Sequence, residues 1–257
     1  MVRQVVNYDG RLSSVYAAGR GMAPAEVRRW MTAFATHLPE GRPLRILDLG
    51  SGTGRLTPGL AEEFQGPVYG VEPSDRMREV AEQTAAHPRV TYLKGSAEDI
   101  PLPEASVDAV LMFLSFHHFP DQLKGLQEVC RVLRPGGVAL LRSQFTDLMP
   151  DLFWYEYFPS AREVDKGMYR SLPEVKSLAR QAGLVPADEV IRLSVETERT
   201  FRESYERISL RALSTFEHLP ADEVEPGFAR FAADAERDPD RVMPVYPATT
   251  LVLTRPS

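Results

Sequence analysis

Residues 46–54 read Ile-Leu-Asp-Leu-Gly-Ser-Gly-Thr-Gly, and this stretch decides the fold. It describes a buried strand that runs into a glycine-rich turn. Glycine lacks a Cβ and tolerates positive φ, so such a turn lets the backbone approach a ligand closely. After the turn, Leu56, Leu60 and Phe64 recur at helical spacing, which predicts a helix whose free N-terminal amides face the loop. The pattern indicates a site for a nucleoside-type ligand at the end of the first strand.

An acidic residue stands where such a ligand would present its ribose. Glu72 follows the second apolar run, Val68-Tyr69-Gly70-Val71, at the end of a predicted strand. The dinucleotide fingerprint G-x-G-x-x-G needs a third glycine for close packing of helix on strand. Arg55 or Thr57 occupies that position here, depending on which glycine starts the motif. This spacing counts against a nicotinamide oxidoreductase, which is kept as a rival interpretation.

The tighter G-x-G-x-G spacing at residues 50–54 resembles motif I of the class I S-adenosylmethionine-dependent methyltransferases. The segments that follow resemble the small-molecule branch of that family, called methyltransferase type 11. They are Val71-Glu72-Pro73-Ser74, residues 95–103, residues 107–112, Phe116-His117-His118-Phe119-Pro120-Asp121, and residues 133–141. The resemblance covers residues 44–143 densely and is vague outside them.

Carried onto this sequence, the resemblance implies S-adenosylmethionine as the cofactor and S-adenosylhomocysteine as its product. It implies that Glu72 binds both ribose hydroxyls and that Met77 lies on the adenine face. The family often has Asp where Ser96 stands, so Ser96 or Glu98 is expected to bond the adenine amino group. The implied cofactor-binding residues are Tyr16, Arg20, Gly50, Ser51, Gly52, Gly54, Glu72, Pro73, Met77, Ser96, Ala97, Glu98, Phe113 and His118.

Four side chains are candidate catalytic groups: His117, His118, Tyr155 and Tyr169. The two histidines follow the fourth predicted strand, and imidazole has the right unperturbed pKa for a base near neutrality. Because the His-His pair belongs to the family pattern across many acceptors, an alternative is that the two histidines only organise the loop. The tyrosines could orient a phenol or a carbonyl group. No acidic cluster other than Asp121 follows this strand, so no metal site is predicted.

Strands that alternate with helices predict an α/β fold built on a doubly wound, Rossmann-like sheet. The family resemblance implies seven strands, mostly parallel, with the last strand antiparallel. Residues 185–197 and 249–255 are the expected last two strands. Residues 144–170 are rich in aromatic side chains, and residues 201–236 carry two helical patterns. We expect both inserts, together with residues 5–23, to cap the acceptor pocket.

The predicted organisation is one domain with a cap. Its parts are an N-terminal helical cap at 1–43, a cofactor-binding core at 44–143, an aromatic-rich lid at 144–170, completion of the core at 171–200 and 242–257, and a helical cap insertion at 201–241.

Composition limits the partners. The formal net charge is −6, and no basic run supplies the clustered cations that a nucleic-acid groove needs. The longest apolar run, near residues 107–116, is about half of a bilayer span. The chain has a single cysteine and no signal-like apolar segment, so a cytoplasmic location without membrane attachment is expected. The expected partner is a small-molecule acceptor, and the expected state is a monomer or homodimer.

The sequence therefore predicts a methyltransferase that acts on a small molecule of specialised, natural-product metabolism by in-line transfer in a capped pocket. A second reading is C-methylation of an isoprenyl diphosphate through a carbocation, because aromatic faces and arginines would suit such an acceptor. The arginines concerned are Arg142, Arg162, Arg170, Arg199, Arg207 and Arg211. An alternative from another class is a protein that binds S-adenosylmethionine without transferring its methyl group, such as a cyclase or regulator.

Overall fold

The computed structural model of the chain describes Gly10, Tyr16, and residues 19–194 and 198–257. Its strands are β1 (Ile46–Leu49), β2 (Val68–Glu72), β3 (Val90–Lys94), β4 (Val107–Phe113), β5 (Leu133–Ser143), β6 (Val185–Pro186), β7 (Ile191–Leu193) and β8 (Ala248–Thr254). They form one sheet in the order β3-β2-β1-β4-β5-β8-β6, and β7 pairs with β8.

The first five strands run parallel, and the later ones are antiparallel to their neighbours. The strand order reverses between β1 and β4, and ligands of open α/β sheets bind outside the carboxyl ends of the strands at such a point. The predicted doubly wound, mostly parallel sheet is therefore confirmed. The predicted strand at 185–197 is instead two short strands, β6 and β7, which are separated by a bend of the chain at Asp188 and Glu189. Residues 195–197 lie outside the described part of the chain.

Helices cover both faces of the sheet. The α-helices are α1 (Pro24–Ala35), α2 (Thr57–Phe64), α3 (Asp75–Thr84), α4 (Gln122–Val132), α5 (Ala161–Met168), α6 (Leu172–Gln181), α7 (Phe201–Ser209) and α8 (Ala221–Arg237). Short 3₁₀ helices span Phe116–His118, Phe153–Glu156 and Ser214–Glu217. The sequence Ser171-Leu172-Pro173-Glu174 predicts a capping box at the start of α6, and the structure has it: Ser171 N–H donates to Glu174 (2.9 Å) and Glu174 N–H donates to Ser171 Oγ (3.4 Å).

Alternate residues of β1 enter different apolar clusters. Leu47 and Leu49 pack in the cluster that includes α4 and α6, whereas Ile46 packs with α1 and α2 on the other face. This is the period of two that a strand imposes on its side chains. Both faces are covered, so every residue of β4 is buried. The central strand β4 is consequently apolar at every position except Asp108.

A third apolar cluster contains no residue of the sheet, and we call it the aromatic cluster. Its buried members are Trp154, Tyr155, Tyr157, Phe158, Ala161, Phe201, Phe216, Val224, Phe228, Phe231, Ala235 and Met243. Tyr157 stacks on Phe231 with ring centroids 4.5 Å apart and an interplanar angle of 9°. The two segments that the sequence marks as inserts thus pack against each other.

Two details of the second insert differ from the sequence prediction. The apolar repeat from Phe201 to Phe216 predicts one helix that ends near Glu217, but α7 ends at Ser209. The reason is Arg211, whose φ of +53° is incompatible with a continuing helix. Residues 234–241 are predicted as a charged surface turn, but α8 continues through the first four of them. Residues 1–9, 11–15 and 17–18 of the predicted N-terminal cap lie outside the described residues.

Candidate active site

The glycine turn after β1 is held by the strands and loops around it. Gly50 has a φ of +74°, and its amide donates to the carbonyl oxygen of Val71 at 2.8 Å. A Cβ at this position would lie 2.4 Å from the Cβ of Ser115. Beneath the turn, Asp48 accepts a hydrogen bond of 2.6 Å from the Thr57 hydroxyl. Burial raises the pKa of Asp48 to about 6.

Glu72 connects the glycine turn to the end of β2. One carboxylate oxygen accepts from the amide of Gly52 at 3.0 Å, and the other accepts from the amide of Ser74 at 3.0 Å. Burial raises the pKa of Glu72, and these two hydrogen bonds act in the opposite direction. Each carboxylate oxygen can accept more than one hydrogen bond. Glu72 therefore still has capacity for the hydroxyl groups of a ligand.

A cavity of about 120 Å³ lies over this turn, and we call it the loop cavity. The predicted cofactor-binding residues that line it are Tyr16, Gly50, Ser51, Gly52, Glu72, Pro73, Met77, Ser96, Ala97, Glu98, Phe113 and His118. Gly54 packs elsewhere, since a Cβ there would lie 2.3 Å from the Tyr92 hydroxyl. Arg20 lies on the wall of a neighbouring cavity. The buried Ser51 Oγ has no hydrogen-bond partner within the described part of the chain.

The two residues predicted to bind the adenine amino group, Ser96 and Glu98, form different interactions within the protein. Glu98 Oε1 accepts a hydrogen bond of 3.1 Å from the amide of Asp121. Ser96 forms an isolated bridge with Asp99 through the backbone. Both side chains belong to residues of the loop-cavity wall. The choice between Ser96 and Glu98 stays open.

A larger cavity of about 260 Å³ adjoins the first, and we call it the large cavity. Five of the described residues line both cavities: Tyr16, Arg55, Phe113, Leu114 and His118. Arg55 directly follows the last glycine of the turn, but it was not among the predicted site residues. The shared wall means that a ligand in one cavity borders on a ligand in the other.

The candidate catalytic groups occupy different places. His118 lines both cavities, while His117 and Tyr169 line the large cavity. The rings of His117 and Tyr169 have centroids 4.5 Å apart, and those of the two histidines 3.8 Å. Burial, with smaller effects of His218 and Arg20, lowers the pKa of His118 to about 4. At neutral pH this imidazole is therefore uncharged. It can accept a hydrogen bond, but it is a weaker base than an ordinary histidine.

Tyr155 forms a hydrogen bond with the buried carboxylate of Asp165, a residue that was not predicted from the sequence. Its hydroxyl donates to Asp165 at 2.7 Å, and the Thr215 hydroxyl donates to the other oxygen of Asp165 at 2.7 Å. Asp165 and Thr215 line the large cavity. Tyr155 is not among the described residues of that wall. Burial raises the pKa of Asp165. The one sequence signal is that Asp165 follows the buried Ala161 by one helical turn.

The six arginines that the sequence offers for a diphosphate divide into two groups. Arg142, Arg199 and Arg207 line the large cavity. The other three form ion pairs elsewhere, namely Arg162 with Asp151, Arg170 with Glu174, and Arg211 with Glu225. Arg20 and Arg55 add two further guanidinium groups to the wall.

The segment before β8 and the first two residues of β8 also contribute to the large cavity, which was not predicted from the sequence. The residues concerned are Met243, Pro244, Val245, Tyr246, Pro247, Ala248 and Thr249. The Tyr246 hydroxyl accepts a hydrogen bond of 2.8 Å from the amide of Phe153 and so ties this segment to the first insert. Among the residues that can be described, no group of three or more His, Cys, Asp or Glu could hold a metal ion. Nor is any helix there long and apolar enough to cross a bilayer.

Comparison with known proteins matches this chain to methyltransferases. A family model described as a methyltransferase domain matches residues 47–141. The 27-O-demethylrifamycin SV methyltransferase of Amycolatopsis mediterranei is 32% identical over 201 residues, which cover 75% of this chain and 72% of that protein. An uncharacterized methyltransferase of Mycobacterium bovis is 41% identical over 128 residues, or 50% of this chain. The chain spans about half the length of this relative, 48%.

Among solved structures, a putative methyltransferase from an antibiotic biosynthesis pathway of Anabaena variabilis superimposes with a TM-score of 0.71. Its sequence is 27% identical, and the match covers 90% of this chain and 99% of that one.

Proposed function

This chain belongs to the class I S-adenosylmethionine-dependent methyltransferases, and on that premise we propose that it transfers a methyl group to a small-molecule acceptor bound in the large cavity. The observation that carries the proposal is the wall common to both cavities, which includes Phe113 and His118. Methyl transfer needs two ligands whose reacting atoms are held in line and close together. Two cavities that share one wall meet that requirement.

S-adenosylmethionine, the cofactor of this family, fits the loop cavity. Glu72 supplies acceptors for the ribose hydroxyls, the glycine turn allows close backbone approach, and Met77 supplies an apolar surface for the adenine. The Ser51 hydroxyl is a buried group available for a ligand hydrogen bond. When bound, the cofactor supplies a methyl group on a sulfonium, which is already activated for transfer.

The protein's own contribution is to orient both ligands and to exclude water. Phe113 lies at the end of β4 with only 7% of its surface exposed, so it offers a dry, apolar face at the junction. The neutral imidazole of His118 accepts a hydrogen bond from an acceptor hydroxyl or amine there. The phenol of Tyr169 is protonated near neutral pH, and burial raises its pKa further, so Tyr169 can donate a hydrogen bond to the acceptor.

We assign the acceptor to specialised metabolism. The support is that one relative is named a rifamycin methyltransferase and one structural neighbour comes from an antibiotic biosynthesis pathway. The acceptor's recognition falls to the proposed cap, made of the N-terminal segment, residues 144–170 and residues 201–241. Residues from all three parts line the large cavity.

The test has two stages. Calorimetry with S-adenosylhomocysteine is expected to give saturable binding at one site, while NAD gives none. Incubation with S-adenosylmethionine labelled in its methyl group, against a panel of small aromatic and aliphatic acceptors that includes an isoprenyl diphosphate, is expected to yield labelled product. Binding without label transfer to any acceptor would favour the cyclase or regulator. No binding of S-adenosylhomocysteine would refute the proposal.

A further inference from the structure

The wall of the large cavity contains a buried carboxylate for which methyl transfer, as described so far, has no use. Asp165 of α5 is only 3% exposed. It lines the large cavity and is not among the described residues of the loop cavity, so we take its remaining exposure to face the space proposed for the acceptor. Because a buried carboxylate is costly unless it is paired or hydrogen-bonded, its place on this wall calls for a function.

Two hydroxyl groups hold the carboxylate of Asp165 in a fixed orientation. Tyr155 donates to one oxygen at 2.7 Å, and Thr215 donates to the other at 2.7 Å. The two donors lie on separate 3₁₀ helices, Phe153–Glu156 and Ser214–Glu217. Three segments of the proposed cap therefore meet at this one side chain. With one donor on each oxygen, the carboxylate is already oriented before a ligand arrives.

These two hydrogen bonds do not use the full capacity of the carboxylate. An ionised carboxylate offers about four acceptor sites. Within the part of the chain that the structure describes, no lysine, arginine or histidine forms an ion pair with Asp165. Burial raises the pKa of Asp165, and the two hydrogen bonds act in the opposite direction. A further donor on the cavity side would therefore stabilise the ionised group.

The wall beside Asp165 is suited to the apolar body of a ligand. Apolar side chains from the same inserts line the cavity, namely Met149, Leu152, Phe153, Trp154 and Leu213. A purely apolar ligand would displace water from the carboxylate and give no hydrogen bond in return. A site built to bond a hydroxyl or amine group strongly rejects an analogue that lacks it. Asp165 would thus select among ligands that fit the apolar wall equally well.

We propose that Asp165 binds an O–H or N–H group of the acceptor, and that this group is distinct from the atom that receives the methyl group. This inference rests on the proposed function, because it treats the large cavity as the acceptor site. The methylated atom lies at the wall shared by the two cavities, and Asp165 is not among the described residues of that shared wall. The acceptor therefore carries at least two functional groups. A hydroxyl and a protonated amine share the required chemistry, and experiment distinguishes them.

The two tryptophans of the chain report on different ends of the large cavity, which both of them line. The Trp30 ring lies 4.9 Å from the ring of Phe113, and the Trp154 ring lies 4.7 Å from the ring of Tyr155. In ¹⁵N-labelled protein, the indole N–H signal of Trp30 therefore reports on the shared wall. The signal of Trp154 reports on the surroundings of Asp165.

The probes are cyclohexylmethanol, protonated cyclohexylmethylamine and methoxycyclohexane. The ether is an isomer of the alcohol that accepts hydrogen bonds but donates none. In protein saturated with S-adenosylhomocysteine, we expect at least one donor probe to bind about tenfold more tightly than the ether, as a hydrogen bond to a charged group would give. Binding of that probe should shift the Trp154 signal. The donor probe that binds more tightly identifies the group as hydroxyl or ammonium.

Variants assign the preference to Asp165. Asp165→Asn keeps the shape and removes the charge, and it should reduce the preference for the donor probe to about threefold or less. The matched control is Asp234→Asn. Asp234 also accepts a hydrogen bond from a tyrosine, Tyr157 at 3.1 Å, but it is not among the described residues of the cavity wall, so the preference should be unchanged.

Three results would overturn the inference: equal affinity of donor probes and ether, a saturable shift confined to Trp30, or a preference that survives in folded Asp165→Asn. If Asp165→Asn does not fold, the wild-type comparison of donor probes with ether decides, together with the response of Trp154.

The proposed function fails separately. If S-adenosylhomocysteine does not bind, the proposed function falls whatever the probes do. If it binds and the ether matches both donor probes, the proposed function stands and the role of Asp165 is refuted.

Discussion

The carboxylate of Glu72 accepts a hydrogen bond of 3.0 Å from the amide of Gly52, which lies 20 residues earlier in the chain. The same carboxylate is proposed to bind the ribose. We expect Glu72→Ala to weaken binding of S-adenosylhomocysteine by about 10- to 100-fold, since a hydrogen bond to a charged group contributes roughly 1.5–3 kcal/mol. Calorimetry measures the change. Glu79→Ala, at an exposed residue of α3, is the control, and equal affinities of the two variants would contradict the assignment.

Gly50 and Gly167 form a matched pair for testing the turn. Gly50 has positive φ, and an added Cβ would collide with Ser115, whereas no atom lies within 4 Å of a Cβ at Gly167. Gly50→Ala should lower the free energy of unfolding by about 1–3 kcal/mol, because strain and overlap add. Gly167→Ala should be neutral or stabilising by up to about 1 kcal/mol, since alanine favours a helix. Urea denaturation of both variants checks this, and similar losses would exclude strain at Gly50.

Asp48 is expected to make the fold less stable as pH rises. Its pKa is 3.8 ordinarily and about 6 in the fold, so the folded state favours the protonated carboxyl. Its stabilising contribution is complete below pH 3.8 and is lost as pH rises through about 6. The loss amounts to roughly 3 kcal/mol.

Asp48→Asn, which stays neutral, should therefore gain stability relative to the wild-type protein between pH 4 and pH 7. Urea denaturation at both pH values measures the difference. Parallel pH profiles of the two proteins would show that Asp48 ionises normally in the fold.

Tyr155 and Thr215 are expected to stabilise the fold through Asp165. Tyr155→Phe removes one hydroxyl donor and leaves a buried carboxylate less satisfied, which should cost about 1–3 kcal/mol of unfolding free energy. Thr215→Val should have a similar effect. Tyr205→Phe is the control, because the Tyr205 ring packs on Phe231 and its hydroxyl has no hydrogen-bond partner among the described residues. A Tyr155→Phe variant of unchanged stability but impaired methyl transfer would instead indicate direct contact with the acceptor.

The loop cavity could be predicted from the sequence because its residues sit at strand ends. Glycine spacing, an acid after the second apolar run and a histidine pair after the fourth are local signals, and parallel strands bring their carboxyl ends together. The sheet itself was predictable for the same reason. The one local error in it, the divided strand at 185–197, comes from a bend of the chain at Asp188 and Glu189.

The large cavity was less predictable because distant segments build it. Asp165 looks like an ordinary charged residue of a short helix, and its burial depends on Thr215, 50 residues later. The turn at Arg211 depends on tertiary contacts, including its guanidinium over Phe228 at 4.7 Å. Neither contact leaves a periodic trace in the sequence. The sequence did indicate part of this wall, through the aromatic richness of residues 144–170 and through three of the six candidate arginines, Arg142, Arg199 and Arg207.

The aromatic cluster has a consequence for how the protein is made on the ribosome. Its members span Trp154 to Met243, and the edge strands β6 and β7 are synthesised between its two halves. The parallel strands β1 to β5 are complete by Ser143. Because β8 pairs with β5, β6 and β7 and is made after the last member of this cluster, we expect the sheet and the acceptor cavity to be completed only near the end of translation.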